Sequence, residues 1–229
     1  MREVSSLVEA IAGYFHPRGK TVVDVGCGSG ETARWLASRG ARAIGIDRAE
    51  VLATAVAPPA RDEGFIASTG ELLPIASSRA DVVLYVASLH HIPPARMDEA
   101  LCECRRVLGE GGRAIVIEPL FRRGSYAEIT RLVEDEREVQ RLAYAAVLRA
   151  ATDGFAMALE ETFYVPRSFT DYQTLVDTFA TDADQRGEIL ARARALTARR
   201  AAAAGVPFDA YRWRSTCRAN VLVTRDGRA

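Results

Sequence analysis

VVDVGCGSG, residues 22–30, is the stretch that decides the fold: an apolar run breaks into alternating glycines and then gives way to a helical pattern. Residues 21–25 (TVVDV) are short, apolar and β-branched, as a strand buried on both faces of a parallel sheet should be. Gly26, Gly28 and Gly30 remove side chains where the strand turns into the next helix, so bare backbone can approach a ligand at a helix N-terminus. Glycines alone do not name the ligand, but two acids narrow it. Glu31 stands where the dinucleotide fingerprint GxGxxG has its last glycine, and a carboxylate there faces a pyrophosphate poorly. Asp24, two residues before the first glycine, instead suits a cationic ammonium group. Together they suggest a zwitterionic ligand.

The same alternation of strand and helix repeats on the C-terminal side of this stretch. Residues 42–46, 64–67, 81–86 and 113–117 read as further short buried strands, and 30–39 and 94–108 as amphipathic helices ending near Gly40 and Gly109. Strand and helix in alternation imply right-handed crossovers and helices on both faces of the sheet. The second strand ends in Asp47, where a carboxylate can take both hydroxyls of a ribose. That feature fits NAD equally, and an acid at a strand end also caps helices.

In this order the segments resemble class I S-adenosylmethionine-dependent methyltransferases, in the branch called methyltransferase type 11. VVDVGCGSG (22–30) and IGID (44–47) are similar to the first two motifs. STGELLPI (68–75), ADVVLYVASLHHIP (80–93) and ALCECRRVLGEGGRAIVIEP (100–119) are similar to the segments around the third, fourth and fifth strands. The likeness covers about residues 20–120 and is specific for the cofactor rather than the substrate. It implies an α/β, Rossmann-like, doubly wound fold: a seven-stranded, mostly parallel sheet with a helical cap inserted after the fifth strand. It also implies S-adenosyl-L-methionine as cofactor and S-adenosyl-L-homocysteine as product. Gly26, Cys27, Gly28 and Gly30 would pass under the methionine part, Asp24 would hold its amino group, Asp47 the ribose, and Arg48 would lie along the adenine. Relatives often carry Asp-Ala where this chain has Thr69-Gly70, so Thr69 offers the adenine only a hydroxyl. Val86, Ala87 and Leu89 would line the methionine pocket. His90 and His91 are the candidates for acid/base work, since imidazole titrates near neutrality. Glu118, at the end of the fifth strand, is a candidate substrate contact or cap.

The remaining composition excludes several classes. Lys+Arg and Asp+Glu are 30 each in 229 residues, so no global field draws the chain to nucleic acid or an anionic membrane. The first residues lack a secretory signal and no run approaches a membrane span, which points to the cytoplasm. Cys27, Cys102, Cys104 and Cys217 have no CxxC spacing, and no metal site is expected.

After Pro119 the rhythm changes. Residues 126–151 read as helical, 160–165 as a strand, 169–180 and 183–204 as helices and 211–224 as a last strand. The whole chain, 1–229, is expected to form one domain, with 120–158 as the cap, carrying Phe121, Tyr126, Tyr144, Phe155 and Met157. Residues 181–229 carry ten Arg against five acids, which reads as solvated faces or as a mouth favouring an anionic substrate. The expected activity is methyl transfer to an N, O or S nucleophile of a small molecule, the expected partner. An RNA or protein methyltransferase and a non-catalytic cofactor-binding protein stand as alternatives, and Glu31 and Asp24 disfavour an NAD(P)-dependent oxidoreductase. The absence of an RNA-binding module argues against nucleic acid. Oligomeric state is not legible.

Overall fold

The computed structural model describes residues 1–55, 63–121, 123–131, 135–169, 174, 183–207 and 210–225. Along the chain run β1 (Arg2–Glu3), α1 (Leu7–Ala12), β2 (Thr21–Val25), α2 (Glu31–Ser38), β3 (Arg42–Asp47), α3 (Ala49–Ala55), β4 (Glu63–Ala67) and β5 (Ala80–Val86). There follow α4 (Met97–Val107), β6 (Leu108–Pro119), α5 (Ser125–Thr130), α6 (Arg137–Thr152), β7 (Phe155–Arg167), α7 (Ala183–Ala204) and β8 (Trp213–Thr224). The strand order is β1-β7-β8-β6-β5-β2-β3-β4. The sheet is mostly parallel as expected and has eight strands rather than seven. The additional one, β1, is a two-residue strand pairing parallel to β7 through Arg2 with Phe163 and Glu3 with Tyr164.

The chain divides into two compact units. The larger holds Leu7–Glu118, Val139–Thr162 and Arg218–Ala229. Its centre is the parallel set β6-β5-β2-β3-β4. There Val23 pairs with Ile44 and Val83, and Val83 with Ala114. Val22, Val23, Val83, Leu84 and Ile115 have no solvent exposure, which explains why these strands read as unbroken apolar runs. On α2, Ala33, Leu36 and Ala37 form the buried face, and on α4 Met97, Leu101, Cys104 and Val107 do. The buried Tyr85 hydroxyl donates to the Ala100 carbonyl at 3.0 Å, so this large side chain leaves no unsatisfied polar atom.

The smaller unit holds Met1–Ser6, Pro119–Glu138 and Phe163–Cys217. Its apolar centre is Ile129, Ala193, Leu196 and the fully buried Trp213, whose ring meets Tyr211 edge-on at 4.8 Å.

The expected cap at 120–158 is therefore divided between the units. From Val139 onward it is core of the larger one: Ala143, Ala146 and Val147 make a helical stripe that is buried together with Phe155. Small residues at this spacing let a helix approach a sheet closely, so an alanine-rich stretch that reads as a lid packs as core. The helix expected at 183–204 is found as α7, whereas the one expected at 169–180 lies mostly outside the described residues. Strand β7 is longer than the six residues expected because residues 156–161 (AMALEE) are helix-favouring types with no β-branched side chain, which masks the strand pattern. All four cysteines are free thiols. No helix of the described residues is long and apolar enough to cross a membrane.

Candidate functional site

At the carboxyl ends of β2, β3 and β5 the larger unit opens into a cleft of about 830 Å³. Open parallel sheets bind ligands at this edge. The glycine loop shapes one side. Gly26 has φ +73°, and a Cβ there would lie 2.5 Å from the Ser88 Cβ, so only glycine lets β2 turn against the end of β5. Ser88 Oγ donates to the Val25 carbonyl at 2.6 Å and locks that turn. Gly28, at φ +53°, would meet nothing within 4 Å, because it faces the open cleft.

Asp47 ties the loop to β3. Its Oδ2 accepts the Gly28 N–H and its Oδ1 the Arg48 N–H, both at 2.8 Å. Each oxygen keeps lone pairs for further donors. Asp24 differs: it is 2% exposed, and its Oδ2 has no hydrogen-bond partner. Burial, and secondarily the Asp47 charge, push its carboxyl up to about 7. A buried acceptor without a donor is costly unless a ligand supplies the donor. The Cys27 thiol is pushed up to about 12, first by burial and then by Asp24 and Asp47, so it packs rather than reacts.

Of the residues singled out in the sequence, Asp24, Gly26, Cys27, Gly28, Asp47, Arg48, Thr69, Gly70, Val86, Ala87 and His91 all line this cleft. Ala87 holds a left-handed φ of +52°, a strained backbone at the end of β5 anchored by its N–H to the Ile117 carbonyl at 2.7 Å. Arg48 pairs with Glu50 at 3.2 Å on the surface.

Three residues differ from expectation. Gly30 is not on the cleft wall. It shapes the entry to α2, where a Cβ would lie 2.6 Å from the Phe65 ring. Leu89 is fully buried in the core, because the single turn after β5 points it inward. His90 is buried too, its Nδ1 in hydrogen-bond contact with Glu118 Oε2, while Glu118 Oε1 accepts the Leu89 N–H at 2.9 Å. Its ring lies 4.1 Å from that of the exposed His91, at 41°.

The wall also includes Ser29 of the glycine loop, Glu31 and Thr32 in the first turn of α2, and Ser68 and Glu71 beside Thr69. Adjacency to the motifs was the available signal for these. Leu7 from α1 and Val51 from α3 also contribute, and nothing in their local sequence marks them.

A family model described as a methyltransferase domain matches residues 23–116, the span from β2 through β6. Over these residues the chain matches the methyltransferase domain family. The methyltransferase domain is similar to two curated proteins. One is an uncharacterised methyltransferase of Synechocystis sp., 28% identical over 94 residues, 41% of this chain and 44% of that protein. The other is a ubiquinone biosynthesis O-methyltransferase of Pseudomonas paraeruginosa, 34% identical over 105 residues, 43% of this chain and 44% of that protein. These matches span less than half the length of the relatives. The YcgJ protein of Bacillus subtilis shares the fold across 96% of this chain and 98% of its own, with TM-score 0.61 at 18% identity.

Proposed function

We propose that this chain binds S-adenosyl-L-methionine in the cleft and transfers its methyl group to a small-molecule N, O or S nucleophile, leaving S-adenosyl-L-homocysteine. The observation that carries the reading is the buried, unpartnered Asp24 Oδ2 beneath a glycine loop that Asp47 ties down. An ammonium group supplies the missing donor, and the lone pairs left on Asp47 suit a pair of vicinal hydroxyls. These are the two ends of one zwitterionic nucleoside, so the residues fit it. Thr69, Gly70 and Arg48 then bound the base, and Val86 and Ala87 the amino-acid portion. When bound, the cofactor supplies an already activated methyl on a sulfonium, so no covalent protein intermediate is needed.

The protein's own work is alignment and exclusion of water. His91, on the cleft wall, accepts the proton that an N–H, O–H or S–H acceptor sheds, and His90, held by Glu118, stiffens the turn that carries it. A small acceptor is favoured over nucleic acid because the chain has no net charge. With four free thiols the protein suits a reducing cytoplasm. Calorimetric titration with S-adenosylmethionine, S-adenosylhomocysteine and NAD tests the reading: the first two should bind with 1:1 stoichiometry and NAD should not. Preference for NAD, or no binding of either sulfur nucleoside, refutes it.

A further inference from the structure

The larger unit holds a second polar constellation outside the cleft. Arg218, on β8, stacks its guanidinium 3.4 Å from the centroid of the Tyr144 ring. Its Nε donates to Asn220 Oδ1 at 3.1 Å. Among the described residues no carboxylate oxygen stands within ion-pair distance, 4 Å, of this partly buried guanidinium. The two nearby acids are engaged elsewhere. Glu160 Oε2 accepts from the Tyr144 hydroxyl at 2.9 Å and from Asn220 Nδ2 at 2.7 Å, and Glu118 holds His90 and the Leu89 N–H. Burial draws Arg218 below its ordinary range, against the opposing influence of Tyr144, Glu160 and Glu118.

The strand register places this group. The Leu120 N–H donates to the Thr216 carbonyl, and the Thr224 hydroxyl to the Gly109 carbonyl, so β8 runs antiparallel to β6. Two residues back along β6 and two on along β8 bring Arg218 opposite Glu118, at the ligand edge of the sheet. Glu118 in turn holds the turn that carries His91 to the cofactor cleft. A half-buried guanidinium loses hydration, and the acids near Arg218 offset this only at a distance, without a direct ion pair. Its planar terminal N–H groups, stiffened by the Tyr144 ring and Asn220, match a carboxylate bidentately.

We propose that Arg218, braced by Tyr144 and Asn220, is a specificity residue for the methyl acceptor, and that the acceptor carries a carboxylate. This rests on the methyltransferase reading, since it assigns an acceptor contact beside the cofactor cleft.

The test uses the full chain saturated with S-adenosylhomocysteine, with benzoate as probe and benzamide as its neutral near-isostere, followed by NMR of the arginine Nε–H resonances. Benzoate should shift the Arg218 resonance saturably in the millimolar range, and benzamide should not. In Arg218→Met, which keeps the packing stem, benzoate should lose at least tenfold in affinity while S-adenosylhomocysteine binds as in wild type. Arg218→Lys should keep part of the preference for benzoate. Equal binding of acid and amide, a benzoate preference that survives Arg218→Met, or no saturable benzoate shift overturns the proposal. Because S-adenosylhomocysteine binding is measured in the same samples, failure there falls on the methyltransferase reading, and failure of benzoate alone falls on Arg218.

Discussion

Replacing Asp24 by Asn should move ligand affinity and protein stability in opposite directions. Asp24 is buried and its carboxyl lies near 7, raised first by desolvation and then by Asp47. Only the carboxylate form pairs with an ammonium group. Roughly a tenth of the free protein carries that form at pH 6 and roughly nine tenths at pH 8, so wild-type affinity for S-adenosylhomocysteine should strengthen about tenfold between them, about 1.4 kcal/mol. Adenosine has no ammonium and should show no such slope. Stability follows the other sign. The folded-state pKa is raised above the unfolded value of 3.8, so the folded state prefers protonated Asp24. The associated stability is complete below that value and is lost as pH rises through about 7. A shift of this size corresponds to a loss on the order of 4 kcal/mol at pH 8. Asn removes the ionisation, so Asp24→Asn should raise the apo melting temperature at pH 8, weaken S-adenosylhomocysteine at least tenfold, and flatten its pH dependence. Calorimetry at pH 6, 7 and 8 with parallel thermal melts reads all three. A wild-type affinity flat across this range, or an Asn variant that binds as wild type, would refute the role given to Asp24.

The other expectations concern the loop and the core. Asp47→Ala should weaken S-adenosylmethionine by roughly 1.5–3 kcal/mol in calorimetry, because it removes a charged acceptor and frees the Gly28 and Arg48 N–H groups. Gly28→Val should abolish detectable binding, since its side chain would project into the cleft and φ +53° strains a β-branched residue; retention of wild-type affinity would place the ligand elsewhere. Gly26→Ala should lower stability in denaturant titration, because its Cβ would overlap Ser88 and break the Ser88 bond to the Val25 carbonyl. Phe155→Ala should cost roughly 3–5 kcal/mol of unfolding free energy, the value for a core aromatic, which tests the placement of this part of the insert in the core.

The residues from Thr21 to Pro119 state their fold locally. A parallel strand buried on both faces must be apolar throughout, a glycine must stand where Ser88 leaves no room for a Cβ, and an acid at the end of β3 is in reach of the loop beside it. Such constraints act over a few residues, so spacing and residue type alone assign Asp24, Gly26, Gly28 and Asp47 to one cleft. Other features depend on partners distant in sequence. Ala143, Ala146 and Val147 form an apolar stripe that suits a lid or a core equally, and only the surface they pack against decides between them. Likewise His90 and His91 are chemically identical neighbours. The turn after β5 gives one to Glu118, 28 residues away, and the other to the cleft. Arg218 is one of ten arginines in a basic tail by sequence, and only the antiparallel seating of β8 on β6 sets it opposite Glu118 with no carboxylate in ion-pair contact among the described residues. Sequence determines what each residue can do within its own turn or strand, whereas burial, pairing and charge environment belong to the neighbours that only the closed sheet supplies.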